Sequence, residues 1–269
     1  MSQDEYYDKI VELIYKETGI SFDENKKYFV ERRINDNIKN LRLSSSKDYY
    51  RLLKYTKEEY HIQKLINDIT INETYFFRDF DQLDNFAETA LPILIREKNK
   101  TRNIRVWSAG CSTGEEPYTL TIILLELLPD PSKWEIEITG TDINTRVLDE
   151  AERGVFNERS VKDVPDEYLI KYFKLSKDKY LVNDEVKRLV NFQYGNILNR
   201  DRLDYFDLIF CRNVLIYFDD DIKSRAINNF FDSLKPGGFI YLGHAETFNN
   251  LLNKFRTINV KNTNIFCKP

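Results

Sequence analysis

Ile104-Arg-Val-Trp-Ser-Ala-Gly-Cys-Ser-Thr-Gly-Glu-Glu-Pro-Tyr118 decides the fold of this chain. Ile104–Ser108 carries the β-branched and aromatic residues of a strand. Ala109–Gly114 reads as a tight loop, and Glu115–Leu128 as an apolar-rich helix that Pro129 stops. Downstream the same order recurs. A strand over Trp134–Thr139 passes through Gly140-Thr-Asp142 into a helix over Thr145–Arg153. Strands follow at Leu189–Tyr194 and Phe206–Phe210, then a helix over Asp219–Leu234 with an abrupt stop at Lys235-Pro-Gly-Gly238. Phe239–Leu242 is a fifth strand, and short runs near 255–260 and 263–267 predict a closing hairpin. Alternating strands and helices predict an α/β fold, a parallel sheet with helices on both faces. Between Pro165 and Arg188 the pattern is irregular, which predicts a small insertion and not another strand–helix unit.

Upstream the period is helical throughout. Tyr7, Ile10, Leu13 and Ile14 mark a helix over about 4–18 with Gly19 as its stop, and further helices are predicted over 46–55 and 59–70. Ser45 and Asp48 match a capping pattern ahead of the second of these. Residues 26–57 hold ten Lys/Arg against three acids, a net of +7, whereas the whole 269-residue chain has a net charge of −4. A basic module is therefore joined to an acidic body. Within it Val30, Ile34, Ile38 and Leu41 form a buried stripe, which puts Arg32, Asn35, Lys39 and Arg42 on the opposite face of one helix. Such a face is either merely solvated or a docking surface for an acidic partner.

Composition bounds the function. The acidic balance argues against a chain built throughout for nucleic-acid phosphates. The longest apolar stretch, Leu120–Leu128, is broken by Glu126 and falls far short of a membrane span, and the start MSQDEYYDKI lacks the order of a signal peptide. Three scattered cysteines and two histidines imply neither a disulfide framework nor a metal site. A cytoplasmic, metal-free protein is expected, without membrane insertion or nucleic-acid partner.

Ligands of open α/β sheets bind at the carboxyl ends of the strands. Gly110 and Gly114 let backbone approach a ligand there, but the loop ends in Glu115-Glu116 where a phosphate loop would have lysine. A glutamate pair at a helix N-terminus repels pyrophosphate. A nucleoside bearing an amine or sulfonium cation suits the loop better. Asp142 is placed for both ribose hydroxyls, Asn196 for an adenine edge, and Arg212-Asn213 for the adjoining wall. Cys111 and Cys211 read as small wall residues, His244 as a strand-end histidine, and Glu116 as turned away from the ligand.

Asn72-Glu-Thr-Tyr-Phe-Phe-Arg78, Val106–Tyr118 and Phe210-Cys-Arg-Asn-Val-Leu-Ile-Tyr-Phe218 resemble signature segments of the CheR family. Leu234-Lys-Pro-Gly-Gly238 and Gly243-His-Ala-Glu246 also resemble family segments, in the expected order. The resemblance spans essentially the whole chain. It implies a class I, Rossmann-like S-adenosylmethionine-dependent methyltransferase sheet over 72–269, with an insertion at about 165–192, behind a small all-helical receptor-docking domain over 1–71. The implied activity is transfer of a methyl group to glutamate carboxylates of bacterial chemotaxis receptors, for sensory adaptation.

The resemblance further implies that Asn72, Thr74, Arg78, Glu115, Asp142, Asn196, Ile197, Arg212 and Asn213 hold the cofactor. Arg78 and Tyr217 flank the transferred methyl, and the helix with Arg32, Lys39 and Arg42 meets the receptor's methylation region. Some members grip a receptor C-terminal pentapeptide with a three-stranded subdomain. The matching stretch here, about Tyr172–Phe192, is shorter and lacks their glycines, so untethered action by a monomer is expected. Two other readings stay open on the residues: a methyltransferase with another acceptor, and a non-catalytic adaptor that binds receptors or senses S-adenosylmethionine.

Overall fold

The computed structural model describes residues 3–56, 59–199, 203–243, 246, 253–260 and 263–269. Four helices come first: α1 (Gln3–Thr18), α2 (Glu24–Asn40), α3 (Ser46–Tyr55) and α4 (Tyr60–Ile69). Ile10, Ile14, Val30, Ile34, Tyr49, Leu53, Leu65 and Ile69 interlock as their core. The caps are where the sequence puts them. Gly19 ends α1 at φ +76°, and the Ser45 hydroxyl accepts the Asp48 N–H at 3.2 Å to start α3. Arg42 is a correction. The helix stops at Asn40, Leu41 caps it, and Arg42 lies beyond in the left-handed region at φ +55°. Leu41 still packs on the core, so the apolar stripe outlasts the helix that carries it.

Helices α5 (Phe80–Asn85) and α6 (Leu91–Glu97), joined by one π-helical turn, lead into the sheet. Its strands are β1 (Asn103–Ala109), β2 (Glu135–Asp142), β6 (Val190–Tyr194), β7 (Phe206–Cys211), β8 (Leu234–Leu242), β9 (Arg256–Val260) and β10 (Thr263–Cys267). They lie in the order β6-β2-β1-β7-β8-β10-β9. The first five are mutually parallel, while β10 runs antiparallel to both β8 and β9. Helices α7 (Glu115–Leu127), α8 (Thr145–Arg153) and α12 (Asp220–Ser233) make the main crossovers. Central β7 is buried at every position, as expected of a parallel strand covered on both faces. Its one acid, Asp207, is satisfied by Lys98 at 2.6 Å and Lys235 at 3.0 Å.

Two stretches depart from the sequence reading. Lys235-Pro-Gly-Gly238 does follow the end of the helix, which stops at Ser233, but the next strand starts earlier than Phe239: these residues lie within β8, whose register against β7 jumps from Leu234 opposite Phe206 to Phe239 opposite Leu208. The irregular stretch is ordered. Between α8 and β6 the chain builds β3 (Val155–Phe156), α9 (Glu158–Val161), α10 (Asp166–Tyr172), β4 (Phe173–Ser176), β5 (Lys179–Val182) and α11 (Asp184–Lys187). The three strands form a small antiparallel sheet in the order β3-β5-β4. Lys177 and Asp178 make its turn with positive φ, without a glycine to signal it.

Candidate functional site

Strand order reverses between β1 and β7, so their carboxyl ends open a crevice. Gly110 takes φ +80°, and a Cβ there would collide with Val214 Cγ2, so both conformation and space favour glycine. The N–H groups of Gly110 and Cys111 both donate to the Thr141 carbonyl, which fixes the loop to the end of β2. The adjacent Asp142 carboxylate accepts the Ser112 N–H and the Asn144 N–H, each at 2.9 Å. It is not the cap of α8, because the Asn144 side chain fills that role. Burial raises the Asp142 carboxyl above the usual range, against the pull of these amides. Each of its oxygens keeps lone-pair capacity for a hydroxyl.

The glutamate pair is reversed from expectation. Glu116 lines the cavity, accepting the Ser108 hydroxyl and the Arg212 Nε–H, each at 2.6 Å. Glu115 points elsewhere: it is 2% exposed, accepts the Thr113 hydroxyl at 2.6 Å and borders a second cavity with Glu150, Asn157 and Arg159. Burial raises its carboxyl as well. Neighbours on a helix diverge by about 100°, and helix phase alone decides which one faces the crevice.

The connection after α4 crosses the mouth. The Asn72 carbonyl accepts the Ser112 hydroxyl at 3.0 Å, and the Asn72 carboxamide turns back to Thr70. Phe76 anchors the connection, packing edge-on against Phe156 and Phe173 of the small sheet at 4.8 and 5.0 Å. Phe77 and Asp79, both in the left-handed region, bracket Arg78 and aim it back over the cavity. Arg78 donates to the Glu73 carbonyl at 2.8 Å and lies 4.0 Å from the Asp79 carboxylate. Arg212, with a side chain 4% exposed, ties Glu116 to the Arg78 carbonyl at 2.7 Å.

Tyr217 stands on a single helical turn, Leu215–Tyr217, and its ring lies 5.0 Å from the Lys26 ammonium. Burial raises its hydroxyl, and the charge of Arg78 opposes that rise. The two expected catalytic side chains therefore sense each other across one cavity. Asn213, at φ +61°, joins the wall with its Oδ1 buried and without a hydrogen-bond partner among the described residues. Asn196 lines the cavity with its carboxamide engaged, the amide donating to the Glu17 carbonyl and the oxygen accepting the Leu198 N–H, and Ile197 adds apolar wall beside it. Thr74 lines the cavity. Cys111 and Cys211 are fully buried with strongly raised thiols, which suits neither to be a nucleophile; Cys111 is a wall residue as expected, whereas Cys211 packs in the core behind the cavity. His244 falls outside the described residues.

The helical domain closes the cavity, which the sequence reading missed. Ile20, Phe22, Lys26, Phe29 and Ile69 line it. Ile20 bridges to Phe218, Ser21 N–H donates to the Tyr217 carbonyl at 2.9 Å, and the Tyr15 hydroxyl binds Asp219 at 2.6 Å. These partners lie about 200 positions apart, so no local pattern announces them. Arg32, Asn35, Lys39 and Arg42 are all exposed.

An acid at the end of β2, an apolar wall, a carboxylate for an amine and an unmatched carboxamide fit a nucleoside carrying an amino acid. Sheet order and site together define a class I S-adenosylmethionine-dependent methyltransferase. The chain belongs to the CheR methyltransferase family: residues 72–264 match its SAM binding domain and residues 5–70 its all-alpha domain. It is 38% identical over 262 residues to chemotaxis protein methyltransferase 2 of Vibrio cholerae, covering 96% of this chain and 91% of that protein. The chemotaxis protein methyltransferase of Borreliella burgdorferi is 34% identical, covering 89% and 87%, and that of Escherichia coli 32%, covering 94% and 87%. No helix among the described residues is long and apolar enough to cross a membrane.

Proposed function

We propose that the chain methylates glutamate side chains in the cytoplasmic methylation region of bacterial chemotaxis receptors, giving glutamyl methyl esters and S-adenosylhomocysteine. The observation that carries this is the meeting of Arg78 and Tyr217 in one cavity with Asp142. S-adenosylmethionine supplies an activated methyl on a sulfonium, whose departure needs no acid. A glutamate, with an ordinary pKa of about 4.3, is already ionised at neutral pH, so no base is required. The protein's work is alignment and exclusion of water.

Bringing an anion beside Glu116 and Asp142 needs a compensating cation. Glu116 is already matched by Arg212. Arg78, paired with Asp79 only at 4.0 Å, orients the incoming carboxylate, and the Tyr217 hydroxyl hydrogen-bonds beside the reacting oxygen. Asn72, Thr74, Asp142, Ile197 and Asn213 hold the cofactor. Glu116 takes the role expected of Glu115, and Asn196 supports the wall through its bond to Glu17.

Receptor choice falls to α2. It begins at the cavity with Lys26 and carries Arg32 and Lys39 outward, with Arg42 just past its end, toward an acidic helical partner. The enzyme acts untethered, as a cytoplasmic monomer; the small sheet's hairpin strands have four residues each and turn at Lys177-Asp178 without glycine, which favours action without a pentapeptide grip. The test compares labelled-methyl transfer to a purified receptor cytoplasmic domain and to bulk RNA. Methyl that enters the receptor and leaves as methanol in mild alkali supports a glutamyl ester. Transfer to RNA alone, or alkali-stable methyl, refutes it.

A further inference from the structure

Glu246 has no exposed surface, and the mechanism above leaves it unused. Its Oε2 accepts the Gly243 N–H at 2.7 Å and the Asn213 N–H at 3.1 Å, and its Oε1 accepts the Ile216 N–H at 3.3 Å. One buried carboxylate thus gathers backbone donors from the end of β8 and from both ends of the segment that follows β7. Burying an acid is costly, and here its ordinary affinity for protons is raised by burial and restrained by these amides and that of Leu215.

What the amides belong to gives the carboxylate a purpose. Asn213 is held in the left-handed region, a conformation that costs an L-residue energy, and it lines the cofactor cavity with its Oδ1 buried. Ile216 immediately precedes Tyr217 on the single helical turn. Gly243 leaves room for the clamp, because a Cβ there would lie 2.7 Å from Glu246 Oε2 and 2.9 Å from the Asn213 nitrogen.

The geometry points to Glu246 as a positioning residue that locks Asn213 into its left-handed conformation and fixes the turn carrying Tyr217. It deepens the methyltransferase reading and rests on it. Glutamine at 246 keeps the shape but turns an amide donor toward backbone donors. Calorimetry with S-adenosylhomocysteine on the full chain tests the clamp without any acceptor. Glu246→Gln should weaken binding about tenfold in the parent, the scale of a lost charged hydrogen bond. In an Asn213→Gly background the same change should cost less than about twofold, because glycine takes a positive φ unaided.

Equal losses in the two backgrounds would mean general support of the fold and would overturn the assignment. If Glu246→Gln fails to fold, Gly243→Ala presses on the same carboxylate with its charge intact. It should show the same dependence on Asn213, and parental affinity in that variant would refute the clamp. A parent that binds S-adenosylhomocysteine but methylates no receptor counts against the proposed acceptor alone.

Discussion

The cations of the connection and sheet and those of the helical domain stand in opposite circumstances. Arg212 is nearly inaccessible and engages Glu116, the Arg78 carbonyl and Asp79. Arg32, Lys39 and Arg42 are exposed on or just beyond α2. A buried, paired charge fixes geometry and responds little to salt, whereas an exposed group of one sign steers an acidic partner and is screened. On the proposed function, transfer chemistry and acceptor choice fall to different regions that meet at Lys26 and Tyr217.

Substitutions inside the cavity should break the chemistry without touching partner choice. Arg78→Ala removes the guanidinium held over the cavity and should lower kcat about 100-fold, in the range of a deleted preorganised charge donor, with receptor KM little changed. Asp142→Ala should weaken S-adenosylhomocysteine binding roughly 10- to 100-fold by calorimetry, because two hydroxyls lose a charged acceptor. Tyr217→Phe should retain part of the activity, a loss of roughly 3- to 10-fold, the worth of a neutral hydrogen bond.

The smallest effect distinguishes the two glutamates. Glu115 has its carboxyl raised by burial, so the folded state binds its proton more tightly than the unfolded chain does. Stability then falls as pH rises from the ordinary carboxylate range through the raised value. Glu115→Gln should raise the Tm at neutral pH by a few degrees and lose that advantage at acidic pH. Glu116→Gln, breaking the pair with Arg212, should instead weaken cofactor binding at neutral pH.

Much of this was readable in the residues. The strands from Ile104 to Leu242 carry their own period, and the Ser45 cap and Gly19 stop are local signals. What escaped reading depended on distance or phase. The two-residue strand Val155–Phe156 has no period to detect, and the β4–β5 hairpin beside it turns at Lys177-Asp178 without glycine. Which of Glu115 and Glu116 faces the cavity depends on a single helical step. Arg42 was assigned to α2 because Leu41 remains apolar past the helix end. The helical wall of the site depends on contacts such as Tyr15 with Asp219, which only the folded chain brings together.

The division between chemistry and docking is tested most directly by steady-state kinetics of Arg32→Glu/Lys39→Glu/Arg42→Glu on a receptor cytoplasmic domain at several salt concentrations. Receptor KM should rise about tenfold or more and become far less sensitive to salt, with kcat and S-adenosylhomocysteine affinity at parental values. A fall in kcat with KM and its salt dependence unchanged would contradict that division.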